Sequence, residues 1–213
     1  MSGAHLIFDL DGTISDPAVG ILRSINYALK SFGYAEIVES EISTYIGPPI
    51  DQTFRSLTQS TSNEHILALV AKFRERYGAV GFSENSLYPG IVESMQLLRS
   101  LGARLGVCTS KRVDLAEKVL SMFNLRDYFE FVSGGDVGVA KSDQLSSLLA
   151  QGSVGVNSSM IGDRAVDVIA AKRNLLWSIG VLWGHGSEAE LTSAGADQLL
   201  SNPVDLEWLL ETK

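Results

Sequence analysis

The chain from residue 91 onward alternates between helix and strand patterns, and this alternation restricts the fold more than any other feature. Apolar residues at helical spacing alternate with short apolar runs, which we predict to be strands at 105–108, 129–132, 159–161 and 178–182. Residues 6–8 form an earlier run of the same kind. Alternating elements of this type build a parallel sheet covered by helices on both faces. The sequence therefore predicts an α/β fold with a doubly wound parallel sheet.

Residues 15–87 do not fit this alternation. They contain strong helical patterns, of which one begins near Asp16 and another near Asn63. Because a strand and the next helix are normally joined by only ~2–6 residues, we predict that this segment is an inserted all-helical domain, called the cap below. The remaining residues, 1–14 and 88–213, are predicted to form the α/β core.

The composition narrows the possible partners and the cellular location. The 213 residues carry a net charge of −8 without a run of like charge, so we expect neither nucleic acid nor an anionic membrane as a partner. The apolar stretches are shorter than the ~18 residues of a membrane span, and residues 1–4 do not resemble the start of a signal peptide. We expect a cytoplasmic protein.

Two carboxylates directly follow the first predicted strand. Asp9 and Asp11 lie two residues apart and can face one site, while Gly12 allows a sharp turn that brings backbone amides toward an anion. An ionised aspartate can attack phosphorus, and a neighbouring carboxyl with a raised pKa can protonate the leaving alcohol. An isolated Asp-Gly pair is more often a plain turn. A calcium-binding EF-hand is excluded, because the glycine and glutamate that it requires are missing at the sixth and twelfth positions counted from Asp9.

A second acidic pair follows the predicted strand at 159–161. Asp163 and Asp167 are four residues apart across a helix start, so both can approach one ion together with Asp9. At ~4 Å, each pair of like charges repels by ~4 kcal/mol at an effective dielectric constant of ~20, and a divalent cation would offset this repulsion. Mg²⁺ suits a few carboxylates combined with phosphate oxygens. We predict a Mg²⁺ site, although each aspartate alone is more often a helix cap or a solvated charge.

Groups that suit a phosphate follow two other strands. Thr109 and Ser110 end the strand at 105–108, and Lys141 opens a helix farther along the chain. Hydroxyls and amides there can hold phosphate oxygens, and the ammonium can neutralise both nucleophile and phosphoryl group. Each residue alone is more often a cap or a surface charge. Their joint position beyond the carboxyl ends of strands in one parallel sheet indicates a shared site.

These motifs resemble the four ordered motifs of the haloacid dehalogenase (HAD) superfamily, in its phosphatase branch with a helical C1-type cap. The resemblance spans nearly the whole chain and implies a Rossmann-like core. The implied metal site comprises Asp9, the backbone carbonyl of Asp11, Asp163 and, as a support for the metal or for Lys141, Asp167. The implied catalytic residues are Asp9 as nucleophile, Asp11 as acid/base, Thr109 on the phosphate and Lys141 as the stabilising ammonium.

Two further segments are similar to phosphoglycolate phosphatase-like and bacterial 5′-nucleotidase-like members of the superfamily. They are residues 45–49, YIGPP, in the cap and residues 180–187, GVLWGHGS, near the end of the chain. The predicted phosphate-binding residues are Gly12, Thr13, Thr109, Ser110 and Lys141, and the predicted substrate contacts are Arg23, Gly47, Pro48, Arg55 and Lys111.

The predicted function is Mg²⁺-dependent hydrolysis of small phosphomonoesters, of the phosphoglycolate or nucleoside monophosphate type, through an aspartyl-phosphate. Dehalogenation does not need the second aspartate, Asp11. A sugar phosphomutase stays open, because it differs only in what attacks the acyl phosphate. A noncatalytic phosphate- or metal-binding module or a phosphoacceptor domain is another alternative, although a phosphoacceptor has no need of the cap. The expected partner is a small phosphorylated metabolite, and both a monomer and a homodimer remain open.

Overall fold

Short strands and helices alternate along most of the chain, and the computed structural model describes them for residues 5–210. The strands, in chain order, are β1 His5–Phe8, β2 Ser15–Asp16, β3 Ser86–Leu87, β4 Arg104–Thr109, β5 Phe131–Gly134, β6 Ser159–Gly162, β7 Trp177–Val181 and β8 Gln198–Leu200.

The helices follow the same order. The α-helices are α1 Ala18–Ser31, α2 Ile50–Thr58, α3 Asn63–Ala79, α4 Ile91–Ser100, α5 Val113–Met122, α6 Lys141–Ala150, α7 Ala165–Arg173 and α8 Glu188–Ser193. Short 3₁₀ helices lie at Glu39–Tyr45, Gly81–Glu84, Arg126–Tyr128 and Pro203–Leu210. Within residues 5–210, no helix is long and apolar enough to cross a membrane.

Six strands form one sheet in the order β5-β4-β1-β6-β7-β8. Each neighbouring pair is parallel, and Phe8 at the end of β1 lies opposite Val107 on one side and Ile161 on the other. The carboxyl ends of β1, β4 and β6 therefore meet at one edge, where open α/β sheets bind ligands. The predicted α/β fold with a doubly wound parallel sheet is confirmed.

The first strand shows how this sheet is covered on both faces. Leu6 and Phe8 pack into an apolar cluster with residues of α4 and α5, whereas Ile7 packs into a second cluster with residues of α6 and α7. This alternation follows from the two-residue period of a strand. Full burial of each such side chain contributes about 1.5–3 kcal/mol, so both helical layers are held firmly against the sheet.

The helical insertion lies between β2 and β3. Its helices α1, α2 and α3 share an apolar cluster that includes Ile25, Phe54 and Phe73. The strands β2 and β3 pair antiparallel, with Ser15 opposite Leu87, and so join the two connections between cap and core. We propose this pair as the boundary that leaves residues 15–87 in the cap. Of the predicted core segments, residues 1–4 and 211–213 lie outside the described residues.

Several elements differ from the sequence prediction. The strand expected at 129–132 lies at Phe131–Gly134, and the N-cap of α3 is Ser62, whose hydroxyl accepts a bond from the His65 amide. The strands β2, β3 and β8 and the helix α8 were not predicted. Each of them is shorter than the window over which a hydrophobic period can be recognised.

Candidate active site

Three buried carboxylates converge at the carboxyl edge of the sheet. Asp9 directly follows β1, Asp163 directly follows β6, and Asp167 lies in the first turn of α7. Their exposed fractions are 2%, 0% and 1%, and one oxygen from each lies within 4.8 Å of the others. Because β1 and β6 are neighbouring parallel strands, two distant parts of the sequence form this cluster.

Lys141 lies in direct contact with the carboxylate cluster. Its Nζ is 3.0 Å from Asp9 Oδ2 and also donates a hydrogen bond to Asp167 Oδ1. Burial alone would lower the pKa of Lys141, but Asp167 and Asp9 raise it well above the ordinary value. Lys141 therefore carries a positive charge at neutral pH.

The cluster retains an excess of negative charge even with Lys141 present. Burial, followed by the neighbouring carboxylates Asp167 and Asp9, raises the pKa of Asp163. Burial also raises the pKa of Asp167, although Lys141 opposes this shift. One ammonium opposes three carboxylates, so the ionised cluster is short of positive charge. A buried donor set made only of oxygens, with this charge, fits a hard divalent cation.

Backbone amides hold the three carboxylates in place. Asp9 Oδ1 accepts a bond from Leu10 N at 2.8 Å, and Asp163 Oδ2 accepts one from His185 N at 2.8 Å. Asp167 Oδ2 accepts a bond from Arg164 N at 3.0 Å. Such bonds fix the orientation of the carboxylates before any ligand binds.

Two glycines allow the backbone to pack closely around Asp163. Gly12 has φ +86°, and a Cβ at this position would lie 2.2 Å from Asp163 Oδ2. A Cβ at Gly184 would lie 2.4 Å from the Asp163 Cβ. A side chain at either position would displace a carboxylate of the cluster, which gives a physical reason for glycine at both.

Asp11 is paired with a different ammonium. Its Oδ2 lies 2.7 Å from Lys111 Nζ, whereas its buried Oδ1 has no hydrogen-bond partner among residues 5–210. Burial raises the pKa of Asp11, and the charge of Lys111 opposes that shift. The protein therefore holds one oxygen of this carboxyl and leaves the other without a hydrogen bond among the described residues.

The predicted phosphate-binding residues surround the same edge. Thr109 is the last residue of β4, and its hydroxyl accepts a bond from Lys111 N at 3.2 Å. Thr13 is buried, and its hydroxyl lies 3.5 Å from Asp163 Oδ1, at the limit of a hydrogen bond. Ser110 is partly exposed and lines the cavity described next.

A cavity of about 80 Å³ lies between this edge and the cap. The core side of the cavity includes Asp9, Asp11, Thr109, Ser110 and Lys111, and the cap side includes Gly47, Pro48, Asp51, Phe73, Arg74 and Tyr77. The structure thus brings the first acidic pair and the hydroxyls of Thr109 and Ser110, which were predicted to bind phosphate, to one cavity beneath the cap.

The predicted substrate contacts divide into two groups. Gly47, Pro48 and Lys111 line the cavity, but the described lining residues include neither Arg23 nor Arg55. Arg23 instead pairs with Glu84 at 2.6 Å, and Arg55 donates to Asn63 at 2.6 Å, both on exposed surface. Sequence reasoning placed all of them in the cap or beside it, but it could not tell which face of a cap helix lies over the core.

Two cavity residues of α3 were not anticipated as site residues. Tyr77 is buried on its helix, and its hydroxyl accepts a bond from Lys111. Arg74 pairs with Asp136 of the core at 2.5 Å. The available signal was the helical spacing, because Tyr77 lies four residues after the buried Phe73 and Arg74 lies four residues after the buried Val70.

Two connections beside Asp163, one before α7 and one after β7, also contact the cap. The side chain of Arg164 donates to the carbonyl of Ser43 at 3.0 Å and to the carbonyl of Ile46. His185 contacts the hydroxyl of Ser43 at 3.2 Å through Nδ1 and Asp16 at 3.1 Å through Nε2. The backbone that holds two of the carboxylates therefore also carries the side chains that hold the cap loop.

Comparison with known proteins identifies the family. The model of the haloacid dehalogenase-like hydrolases matches residues 6–181. The chain belongs to this family. Its predicted superfamily is therefore confirmed, and the protein is a hydrolase of the phosphatase class.

Curated relatives align over most of the chain. A 5′-nucleotidase of Pseudomonas aeruginosa is 32% identical over 98% of this chain and 96% of its own length. A phosphoglycolate phosphatase of Aquifex aeolicus is 31% identical over 97% of this chain and 96% of its own length. The tyrosine-protein kinase PtkA of Mycobacterium tuberculosis is 38% identical over 85% of this chain, which spans 62% of that protein.

A solved structure resembles the whole fold. The crystal structure of a predicted phosphatase from Clostridium acetobutylicum superposes with a TM-score of 0.91, at 32% identity and with 98% of each chain covered. This similarity extends over cap and core together, so the helical insertion is a shared part of the architecture.

Proposed function

We propose that the protein is a Mg²⁺-dependent phosphatase that hydrolyses small phosphomonoesters through an aspartyl-phosphate on Asp9. One observation carries the proposal. Asp9 is the carboxylate that belongs both to the acidic cluster and to the cavity beneath the cap, and it also contacts the Lys141 ammonium at 3.0 Å. A substrate phosphoryl group in that cavity would meet a fixed nucleophile next to a permanent positive charge.

In the first step, a carboxylate oxygen of Asp9 attacks phosphorus. The new bond joins Asp9 to the phosphoryl group, and the bond from phosphorus to the leaving oxygen breaks. Lys141 offsets negative charge on the nucleophile and on the phosphoryl oxygens, because its ammonium is buried against Asp9. We propose that Thr109 and Ser110, together with Gly12 and Thr13, hold the phosphoryl oxygens.

The acidic cluster supports a bound divalent ion. We propose that Asp9, Asp163 and the backbone carbonyl of Asp11 hold Mg²⁺, while Asp167 orients Lys141 and supports the ion. When bound, Mg²⁺ would neutralise the excess charge of the cluster and polarise the phosphoryl oxygens. The donor set supports this assignment, because it contains only buried oxygens with too little positive charge nearby.

Asp11 is proposed to move the protons of both steps. Its carboxyl gives a proton to the leaving alkoxide, and its carboxylate then takes a proton from the water that attacks the phosphorylated Asp9. That second attack releases inorganic phosphate and restores the Asp9 carboxylate. The burial that raises the pKa of Asp11 suits a group that must hold a proton before the first step.

The cavity size favours a short leaving group. About 80 Å³ is well below the ~300–1,000 Å³ of pockets that enclose drug-sized ligands. We therefore propose that compact esters of the phosphoglycolate type are better substrates than nucleoside monophosphates. We also propose that Gly47 and Pro48 contact the leaving group, because both line the cavity from the cap side.

A substrate panel tests this function. Phosphate release from phosphoglycolate, nucleoside monophosphates, sugar phosphates and phosphotyrosine would be ranked by kcat/KM, with Mg²⁺ and with a chelator. We expect Mg²⁺-dependent release, fastest from the smallest ester. Transfer of phosphate to another hydroxyl of a sugar phosphate, without release, would instead identify a mutase. Equal release in chelator would contradict the metal-dependent mechanism.

A further inference from the structure

Lys111 is a buried lysine that bonds to both the core and the cap. Its Nζ lies 2.7 Å from Asp11 Oδ2 and 2.7 Å from the hydroxyl oxygen of Tyr77. The same Nζ lies 4.3 Å from the centre of the Tyr77 ring, which is a favourable cation–π distance. Only 6% of the Lys111 side chain is exposed. The Lys111 ammonium therefore links Asp11, the candidate acid/base residue, to Tyr77 of the cap helix α3.

The cap side of this contact is itself held in place. The Tyr77 oxygen accepts a second bond, from Asn85 Nδ2 at 3.0 Å. Asn85 Oδ1 in turn accepts a bond from the hydroxyl of Ser15 at 3.2 Å. Ser15 belongs to β2, and Asn85 directly precedes β3, so the chain of bonds ends at the junction of cap and core. These bonds hold the Tyr77 hydroxyl at a fixed place relative to the junction of cap and core.

The core side of the contact orients Asp11. Lys111 holds Oδ2, while Oδ1 is buried and has no partner among the described residues. The backbone of Lys111 is also held in place, because its amide donates a hydrogen bond to the Thr109 hydroxyl at 3.2 Å. A carboxyl held by one oxygen presents the other in a defined direction, as proton transfer to a leaving group requires.

We propose that Lys111, held by Tyr77 of the seated cap, is a positioning residue for the acid/base carboxyl of Asp11. This inference rests on the proposed phosphatase function and replaces a direct role of Lys111 in substrate contact. The ammonium aims Asp11 Oδ1 at the leaving oxygen, and the Tyr77 bond restricts this alignment to the cap-covered state. The cap therefore covers the cavity and orients the Asp11 carboxyl at the same time.

The test uses two substrates that differ in their need for a proton. A simple alkyl phosphate such as glycerol phosphate must have its leaving oxygen protonated, whereas nitrophenolate leaves p-nitrophenyl phosphate without a proton. In Lys111→Met, we expect kcat/KM for the alkyl ester to fall roughly 100-fold, the lower range for a positioned general acid, but that for the aryl ester to change less than about 3-fold. For the aryl ester kcat should still fall, because hydrolysis of the phosphorylated enzyme needs Asp11 as base.

Tyr77→Phe provides an independent variant that keeps the ring and removes the hydroxyl. We expect the same selective loss on the alkyl ester, about 10-fold, the size expected for one hydrogen bond to a charged group. Lys118→Met is the matched control, because Lys118 also bonds to the cap, at Gly78 O, but is exposed and has no bond to Asp11. It should leave the ratio of the two kcat/KM values unchanged.

The outcomes distinguish a failure of the positioning role from a failure of the proposed phosphatase function. Equal losses on both esters in Lys111→Met and Tyr77→Phe, or a change only in KM, would overturn the positioning role while leaving the phosphatase function intact. If Lys111→Met does not fold, as judged by thermal unfolding, Tyr77→Phe decides alone. A wild-type protein that releases phosphate from neither ester would instead refute the proposed function itself.

Discussion

The carboxyl edge of the core and the overlying cap are built differently. At the core edge, Asp9, Asp163 and Asp167 are almost completely buried, and each accepts a bond from a backbone amide. The cap reaches the cavity through a loop at Gly47 and one face of α3, and a core arginine, Arg164, secures that loop. We propose from this difference that the core determines the chemistry, whereas the cap determines access and leaving-group size.

The largest expected effect comes from the core. Asp9→Asn keeps the size of the side chain but removes the nucleophilic carboxylate, so we expect activity to fall by at least about 10⁴-fold, as for loss of a nucleophile in other enzymes. Phosphate release by the purified variant would be measured beside its thermal unfolding. A folded variant that retained turnover would show that Asp9 is not the nucleophile.

The next effect concerns the charge of the core edge. Without metal, the pKa values of Asp163 and Asp167 are raised in the folded protein by burial, so the folded state holds more protons than the unfolded state. Stability without metal should therefore decrease as the pH rises from about 4, near the ordinary pKa of an aspartate, to about 7, the raised pKa of Asp163. Mg²⁺ should reverse much of this loss, by about 2.7 kcal/mol at a concentration 100-fold above its Kd.

Thermal unfolding with chelator and with Mg²⁺ measures this prediction. Asp163→Asn is the matched variant, because it removes one negative charge from the cluster and retains the side-chain shape. It should be less sensitive to pH without metal and should gain less from Mg²⁺. A pH-independent melting temperature in chelator would argue against the raised pKa values.

A moderate effect is expected at the junction of the two regions. Arg164→Ala removes the bonds to Ser43 O and Ile46 O and the ion pair with Glu190, but it keeps the backbone amide that holds Asp167. We expect kcat/KM to fall about 10-fold, mainly through KM, because loss of hydrogen bonds from a charged group loosens the cap loop. Arg104→Ala is the control, since Arg104 pairs with Glu130 within the core. An equal change of KM in both variants would show that the bonds from Arg164 to the cap loop do not affect substrate binding.

The smallest effect is expected at the cap surface away from the cavity. Arg23→Ala breaks the pair with Glu84, in which the arginine side chain is 60% exposed. Such surface pairs contribute about 0–1 kcal/mol, so neither stability nor kcat/KM should change greatly. A loss of kcat/KM comparable to that of Arg164→Ala would support Arg23 as a substrate contact and enlarge the functional surface of the cap.

The same two regions separate what the sequence could predict from what it could not. Asp9, Thr109 and Asp163 could be located because they directly follow strand-like runs, and parallel strands place their carboxyl ends at one edge. The partners of Asp11 could not be identified in this way. Lys111 and Tyr77 come into contact only because a cap helix packs on the core, and the spacing of residues in the sequence does not predict such a contact.

The central claim is that Asp9 becomes phosphorylated at the acidic cluster. A crystal structure of the wild-type protein with Mg²⁺ and beryllium fluoride, a mimic of a phosphoryl group, tests this claim most directly. The account predicts a beryllium–oxygen bond to the Asp9 carboxylate, with Mg²⁺ beside Asp163 and with Lys141 in contact with the fluorides. An unmodified Asp9, or a metal bound away from Asp9 and Asp163, would contradict it.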